Sequence, residues 1–190
     1  MFKSSILSGI LIGLAGWINI AVGGSIMGAI LFSVGLMAVC IYSSYLYTGK
    51  AGSWKIEYFS LWRDLGGLGK ILAGNVVGTF LISLILPETS VYLSQIIEYR
   101  LSSGYLESFS RGIGCGILME IAVYSWREYK TLIPILFCVP AFILSGMYHS
   151  IADSFYYFAA PKYLDFHVLG IWVMTVLGNF VGCNVRRLLT

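Results

Sequence analysis

The sequence predicts an all-α membrane protein with six transmembrane helices in two inverted three-helix repeats, and three observations support this. Hydrophobic residues make up 58% of the chain and charged residues only 11%, less than half the usual share in soluble domains. Residues 4–49 contain neither a charged residue nor a histidine, and since one crossing needs about 20 residues, this run holds two. Finally, the phrase Gly-Asn-x-x-Gly occurs twice, at residues 74–78 and 178–182.

The six crossings follow from the apolar runs and the turns between them. Residues 22–24 are the turn between the first two, and the second and fifth crossings are interrupted. We expect them at residues 5–22, 25–48, 71–86, 110–126, 131–158 and 168–185. The chain is then a single transmembrane domain, 1–190, with repeat one at about 1–87 and repeat two at about 105–190.

The distribution of Lys and Arg predicts that both termini are cytoplasmic. With six crossings and the N-terminus inside, nine of the 12 basic residues fall in inside segments and three outside. The inside residues are Lys3, Lys50, Lys55, Arg63, Lys70, Arg127, Lys130, Arg186 and Arg187; the outside residues are Arg100, Arg111 and Lys162. This split follows the positive-inside rule, so we expect a multi-pass protein of a bacterial inner membrane.

The repeated phrase is best interpreted as a helix-packing motif. Small residues at four-residue spacing allow two helix backbones to approach closely, and an asparagine can bond between the helices. This interpretation is favoured over direct substrate contact. The residues concerned are Gly74, Asn75, Gly78, Gly178, Asn179 and Gly182.

A polar interruption precedes each copy of the phrase at a similar distance. Tyr47 and Thr48 form the first interruption, and Tyr148 and His149 form the second. A membrane chain with repeated halves and a break in each has the outline of a transporter or channel with its site at the repeat interface. One half carries a histidine where the other carries a threonine, and this asymmetry points to the chemistry.

His149 has a functional and a structural interpretation, which periodicity alone does not separate. An ionisable residue at membrane depth is costly and usually faces a cavity or another polar group, and imidazole can take up or release a proton near neutral pH. Alternatively, His149 bonds between helices, or lies near the surface because its helix ends at Gly146. Glu120 is the second buried charge candidate, and its role is unassigned.

Other classes of site lack their sequence signals. Cys40, Cys115, Cys138 and Cys183 lie in predicted helices without metal-ligand spacing, as small apolar residues would. The sequence has no phosphate-binding loop and no Ser-His-Asp arrangement. The net charge of +3 reflects loop residues. We therefore expect no metal, no cofactor, no enzymatic activity and no nucleic-acid partner.

Several segments resemble the formate/nitrite transporter family. Residues 32–36, FSVGL, and 45–49, YLYTG, resemble the F-S-x-G-L and L-F-T-G of its broken second helix. Residues 111–115, RGIGC, resemble the opening of its fourth helix, and 145–153, SGMYHSIAD, its S-G-F-E-H-S-I-A-N. The resemblance spans nearly the whole chain. It implies an aquaporin-like fold and a homopentamer of anion channels or proton-coupled transporters.

The resemblance also implies roles for individual residues. His149 takes the place of the central pore histidine and Thr48 that of its hydroxyl partner, and Arg100 falls near a vestibule lysine. Tyr148 and Asp153 replace a glutamate and an asparagine, and Asp153 becomes a candidate to hold His149 in its charged form. The implied constriction residues are Phe32, Leu36, Leu46, Tyr47 and Phe142.

These expectations define a primary and an alternative function. The primary one is a channel or proton-linked transporter for a small monovalent anion such as formate, nitrite or hydrosulfide, with one pore per subunit and with protons and membrane lipid as further partners. His149 either donates a proton to the anion or supplies only electrostatic potential. The alternative is a membrane scaffold or assembly protein with a closed pore. This hypothesis is supported by the bulky side chains of Tyr47 and Tyr148 beside the breaks.

Overall fold

The protein is all-helical over the residues that its computed structural model describes, which are 1–52, 65–86 and 90–189. The predicted inside residues Lys55 and Arg63 lie outside this part of the chain. In the described residues the α-helices are α1 (Phe2–Ala21), α2 (Ile26–Ile41), α3 (Tyr47–Ala51), α4 (Gly66–Ile85), α5 (Val91–Ser102), α6 (Tyr105–Tyr129), α7 (Ile135–Leu144), α8 (Ser150–Ala159) and α9 (Phe166–Leu189). A 3-10 turn, Pro161–Tyr163, joins α8 to α9.

Three of the described helices, α1, α4 and α9, are long and apolar enough to cross a membrane. Helices α2 and α7 are apolar but shorter. Helix α6 has 25 residues but also carries Arg111 and Glu120, which lower its hydropathy. These helices are those of an integral membrane protein, and the number of six crossings stays a prediction.

Both interrupted crossings consist of a longer helix, a non-helical break and a short second helix. In the first, α2 ends at Ile41 and α3 begins at Tyr47. In the second, α7 ends at Leu144 and α8 begins at Ser150. Each break contains a residue with positive φ, Ser43 at 51° and Gly146 at 67°, a conformation that ends a right-handed helix.

Glycines bring two helix pairs into backbone contact. A methyl group at Gly78 of α4 would overlap the carbonyl oxygen of Ile6 on α1, and one at Gly182 of α9 would overlap that of Ile113 on α6. Gly9 on α1 is equally close to the Asn75 carbonyl, and Gly116 on α6 to the Asn179 carbonyl. The pairs α1–α4 and α6–α9 thus make the same contacts in the two halves of the chain.

Helix α8 lies at the centre of the bundle. All its residues from Ser150 to Tyr157 are buried, and it packs against α1, α4, α5 and α9. Helix α7 packs against α2 and α6, while α3 lies among α4, α6 and α9. The two breaks therefore face each other inside the bundle.

Candidate functional site

The second break meets the first turn of α3 at a hydrogen bond between His149 and Thr48. Oγ1 of Thr48 lies 3.1 Å from Nε2 of His149. Thr48 has no exposed surface, and His149 is 2% exposed. The two residues that the sequence singles out as polar interruptions are therefore brought together, 101 positions apart in the chain.

His149 also caps the N-terminus of α8. Its Nδ1 accepts a hydrogen bond from the backbone N–H of Ala152, at 3.2 Å. A neutral imidazole has one donor and one acceptor nitrogen, so these contacts assign the proton to Nε2, which donates to Thr48 Oγ1. A second proton on Nδ1 would point at the N–H of Ala152, and the charged imidazolium would have to give up this cap.

Asn75 and Asn179 hold the two breaks in the same way. Nδ2 of Asn75 donates to the carbonyl of Tyr45, at 2.8 Å, and its Oδ1 accepts from the N–H of Tyr47, at 2.8 Å. Nδ2 of Asn179 donates to the carbonyl of Tyr148, at 2.9 Å, and its Oδ1 accepts from the N–H of Ser150, at 2.9 Å. Each amide thus satisfies backbone groups that a broken helix leaves unpaired.

These bonds correct the register expected between the halves. The residue between the two bonded positions is Leu46 in the first break and His149 in the second. The sequence comparison places Thr48 opposite His149 in the repeat, but the asparagine bonds make Leu46 its equivalent. Thr48 lies two residues further along and is the partner of His149, not its counterpart.

The same asparagines fasten each break to a helix pair. Nδ2 of Asn75 also donates to the Ser5 carbonyl of α1, at 2.7 Å, and Nδ2 of Asn179 to the Gly112 carbonyl of α6, at 2.9 Å. Both asparagines are completely buried. The predicted packing role of the repeated phrase thus extends to holding the site.

Phe142 contacts His149, and the other predicted constriction residues are buried. The ring of Phe142 stacks on the imidazole, with 5.6 Å between centroids and 25° between planes. Phe32 meets Phe142 edge to face at 5.9 Å. Leu36 and Leu46 are each 1% exposed. All five predicted constriction residues, including Tyr47 at 4% exposed, are buried, and their role in narrowing a pore stays a prediction.

Tyr47, the fifth predicted constriction residue, is directed at α9. Its hydroxyl donates to the Val176 carbonyl, at 3.1 Å. Tyr148 is likewise anchored away from the imidazole, because its hydroxyl lies 2.6 Å from Oγ of Ser103. Both tyrosines are fixed by contacts with neighbouring residues.

A cavity of about 220 Å³, the Arg100 cavity, opens on the side of the bundle where α1 ends and α6 begins. Its lining includes His149, Phe142, Arg100, Asp153 and Asn19. The guanidinium of Arg100 binds Oδ1 of Asp153 through Nε at 2.8 Å and Nη2 at 2.7 Å. The expected vestibule cation is thus a buried ion pair. Asp153 is committed to Arg100 and is not the counter-charge of His149.

A second cavity of about 180 Å³, the Lys50 cavity, lies on the side where α6 ends. Lys50, Arg127 and Lys130 line it together with Leu46 and Trp126. The described residues of its lining include no acidic side chain, although Arg127 also reaches Glu128, at 3.2 Å. Phe142 and His149 line the first cavity, and Leu46 lines the second.

The structure also locates two further buried polar residues, Glu120 and Asn19. Glu120 is buried beside Arg186, at 3.3 Å, and Arg127, at 3.6 Å, near the Lys50 side of the bundle. Asn19, which was not among the predicted site residues, is 1% exposed and lies in the wall of the Arg100 cavity. The sequence feature that could have identified Asn19 is that it is the one side-chain amide in residues 4–49.

The chain matches the formate/nitrite transporter family over residues 1–188. It is 27% identical to a formate-nitrite transporter of Entamoeba histolytica, covering 96% of this chain and 60% of that protein. It is 26% identical to the uncharacterized transporter YrhG of Bacillus subtilis, covering 83% of this chain and 67% of that protein. The chain thus spans about two thirds or less of the length of these relatives.

Two solved structures share the fold. An FNT family ion channel superposes with a TM-score of 0.85 at 21% identity, covering 97% of this chain and 86% of that chain. A pentameric formate channel with formate bound superposes with a TM-score of 0.80 at 21% identity, covering 99% and 93%. At this identity the likeness confirms the all-helical fold.

Proposed function

The chain belongs to the formate/nitrite transporter family, and we propose that it is a channel or proton-linked transporter for a small monovalent weak-acid anion of the formate, nitrite or hydrosulfide class. We further propose a homopentamer with one pore per subunit, each subunit being a single domain of two repeats with both termini in the cytoplasm. The pentameric formate channel of the same fold supports this assembly.

The observation that carries the proposal is the Thr48–His149 hydrogen bond between two cavities. His149 lines the Arg100 cavity directly, and Leu46, its equivalent in the other repeat, lines the Lys50 cavity. A path from one cavity to the other passes the imidazole and the apolar side chains around it. A bare charge is expensive at such a constriction, so the anion crosses it after taking a proton, as the neutral acid.

The hydrogen bonds of His149 support a neutral imidazole in the resting protein rather than a permanent positive charge. With Nδ1 accepting from Ala152 and Nε2 donating to Thr48, the resting imidazole is neutral and carries one proton. Its polar N–H is the group that can meet a permeating acid. We therefore propose that His149 first offers a hydrogen bond, and that taking up a second proton is coupled to release of the α8 cap.

Uptake of labelled formate, nitrite and hydrosulfide into proteoliposomes across a pH step tests this function. His149→Phe should lower uptake about a hundredfold or more, because it removes the polar group from an apolar passage. His149→Asn keeps a hydrogen-bonding group without a titrating proton. Uptake that persists in this variant but no longer responds to pH would make His149 a switch, and lost uptake would make its proton essential.

The matched control is His167→Phe, which changes the other histidine of the chain. His167 is exposed at the start of α9, and we expect wild-type uptake. Wild-type uptake in both His149 variants at all pH values would assign His149 to packing alone. If the wild-type protein transports none of the three solutes, the scaffold with a closed pore replaces the proposal.

A further inference from the structure

Two side chains in the Arg100 cavity leave hydrogen-bonding atoms unused. Both amide atoms of Asn19 and Oδ2 of Asp153 are buried and make no hydrogen bond of standard geometry with the described residues. The Tyr156 hydroxyl of the same lining lies within hydrogen-bonding reach of the Asn19 amide and can pair with one of its two polar atoms, which leaves the other amide atom and Oδ2 of Asp153 without a partner among the described residues. Buried polar atoms are nearly always paired, so these atoms indicate a ligand.

The positive and negative side chains at the Arg100 cavity also form matched pairs among the described residues. The positive charge of Arg100 is matched by Asp153 at 2.7 Å. Arg111, which donates to the Gly146 carbonyl at the rim, at 3.1 Å, is matched by Glu107, at 2.7 Å. The Lys50 cavity is lined by three basic side chains, of which Arg127 pairs with Glu120 and Glu128.

A neutral site of this composition distinguishes an acid from its anion. An anion entering it loses hydration without gaining a counter-charge and meets the acceptor oxygen Oδ2 of Asp153. A protonated acid has an O–H group that can donate to Oδ2, and a carbonyl or equivalent oxygen that can accept from Nδ2 of Asn19. The unused atoms therefore fit the neutral acid better than the anion.

We propose that Asn19, Arg100 and Asp153 form a charge-neutral binding site for the protonated form of a small weak acid, and that Asp153 excludes the anions of strong acids from the pore. This inference rests on the proposed transport function and specifies its substrate class. Nitrate has no neutral form at physiological pH, so the site rejects it, while formate enters as formic acid.

The ratio of nitrate to formate uptake in proteoliposomes measures this selectivity. Asp153→Asn leaves the charge of Arg100 unmatched, and should raise the ratio roughly tenfold, since a unit charge a few ångströms from an anion has an effect of at least this size near a protein surface. The double variant Arg100→Gln/Asp153→Asn is neutral again and should return to the wild-type ratio. Glu107→Gln breaks the exposed ion pair of Arg111 and should change the ratio by less than about twofold.

Asn19→Leu tests the second part of the site. It should raise the KM for formate while leaving nitrate excluded, because the amide binds the acid and does not set the charge. Arg100→Gln leaves Asp153 as a lone carboxylate and serves as the reciprocal variant if Asp153→Asn does not assemble. Nitrate should then stay excluded as in the wild-type protein, and nitrate uptake above the wild-type level would overturn the proposal.

The outcomes separate this inference from the proposed function. A wild-type protein that transports neither formate nor the other weak acids refutes the transport function itself. A wild-type protein that transports formate but also nitrate at a similar rate overturns only the neutral site. An unchanged nitrate-to-formate ratio in a correctly assembled Asp153→Asn variant does the same.

Discussion

The asparagine that holds the second break provides a direct test of how the site is built. Asn179 is completely buried and makes three bonds: to the carbonyls of Gly112 and Tyr148, and from the N–H of Ser150, each at 2.9 Å. Asn179→Leu keeps a similar volume and removes all three. The bonded backbone groups of Tyr148 and Ser150 flank His149 directly.

The size of the effect follows from the number of bonds lost. Each hydrogen bond contributes about 1 kcal/mol net, and each buried group left unpaired costs about 1–3 kcal/mol. We therefore expect a loss of at least about 3 kcal/mol in the free energy of unfolding. For a chain of this size, that lowers the Tm by roughly 6–12 °C. Formate uptake should fall as well, because His149 loses its fixed position.

Thermal unfolding of the purified oligomer in detergent and uptake in proteoliposomes measure both effects. Asn75→Leu is the matched variant, because Asn75 makes the equivalent bonds around Leu46. It should lower the Tm by a similar amount, but spare the position of His149 relative to α8. If Asn179→Leu leaves both the Tm and uptake unchanged, the asparagine does not hold the break, and the correspondence of Leu46 with His149 loses its basis.

Three further predictions concern the passage and the assembly. Thr48→Val keeps the shape of the side chain and removes the hydroxyl that bonds His149, so the protein should fold while the pH dependence of uptake shifts; unchanged uptake at every pH would make this hydroxyl structural. Leu46→Ala removes a buried side chain from the wall of the Lys50 cavity and should admit larger monocarboxylates such as lactate, and an unaltered size limit in competition assays would place the constriction elsewhere. Native mass spectrometry should find five copies, and a stable monomer or trimer would contradict the proposed assembly.

The fold was largely accessible from the sequence because bilayer-spanning helices impose long apolar runs. Charge-free stretches, Gly-Asn-x-x-Gly phrases and polar interruptions predicted helices, close contacts and breaks. The second break, at 145–149, includes the predicted Tyr148 and His149, but the first lies at 42–46, just before the predicted Tyr47 and Thr48, which begin α3. The site needed more than periodicity. The equivalence of Leu46 and His149 depends on which backbone groups the asparagine amides reach, and sequence spacing is not precise to one residue.

The pairing of the charged side chains around the site could also not be predicted from the sequence. Arg100 lies on α5 and Asp153 on α8, 53 positions apart, and their pairing depends on the directions of two side chains across a helix contact. Residue identity alone suggested that Asp153 would act on the nearer histidine. Asn19 was overlooked because it interrupts an apolar helix only once, so it leaves the hydrophobic pattern intact.

The glycine contacts have a mechanical consequence. Because α1 and α4 touch through their backbones, as do α6 and α9, the two helices of each pair cannot slide along each other without a steric clash. Each pair therefore behaves as one rigid unit. Asn75 holds the first break to the α1–α4 pair, and Asn179 holds the second break to the α6–α9 pair. The two helix pairs are linked through the Thr48–His149 hydrogen bond. A displacement of one pair relative to the other therefore acts on this hydrogen bond together with the helix contacts between the halves, so we expect substitutions in the glycine contacts of one half to affect the imidazole of the other.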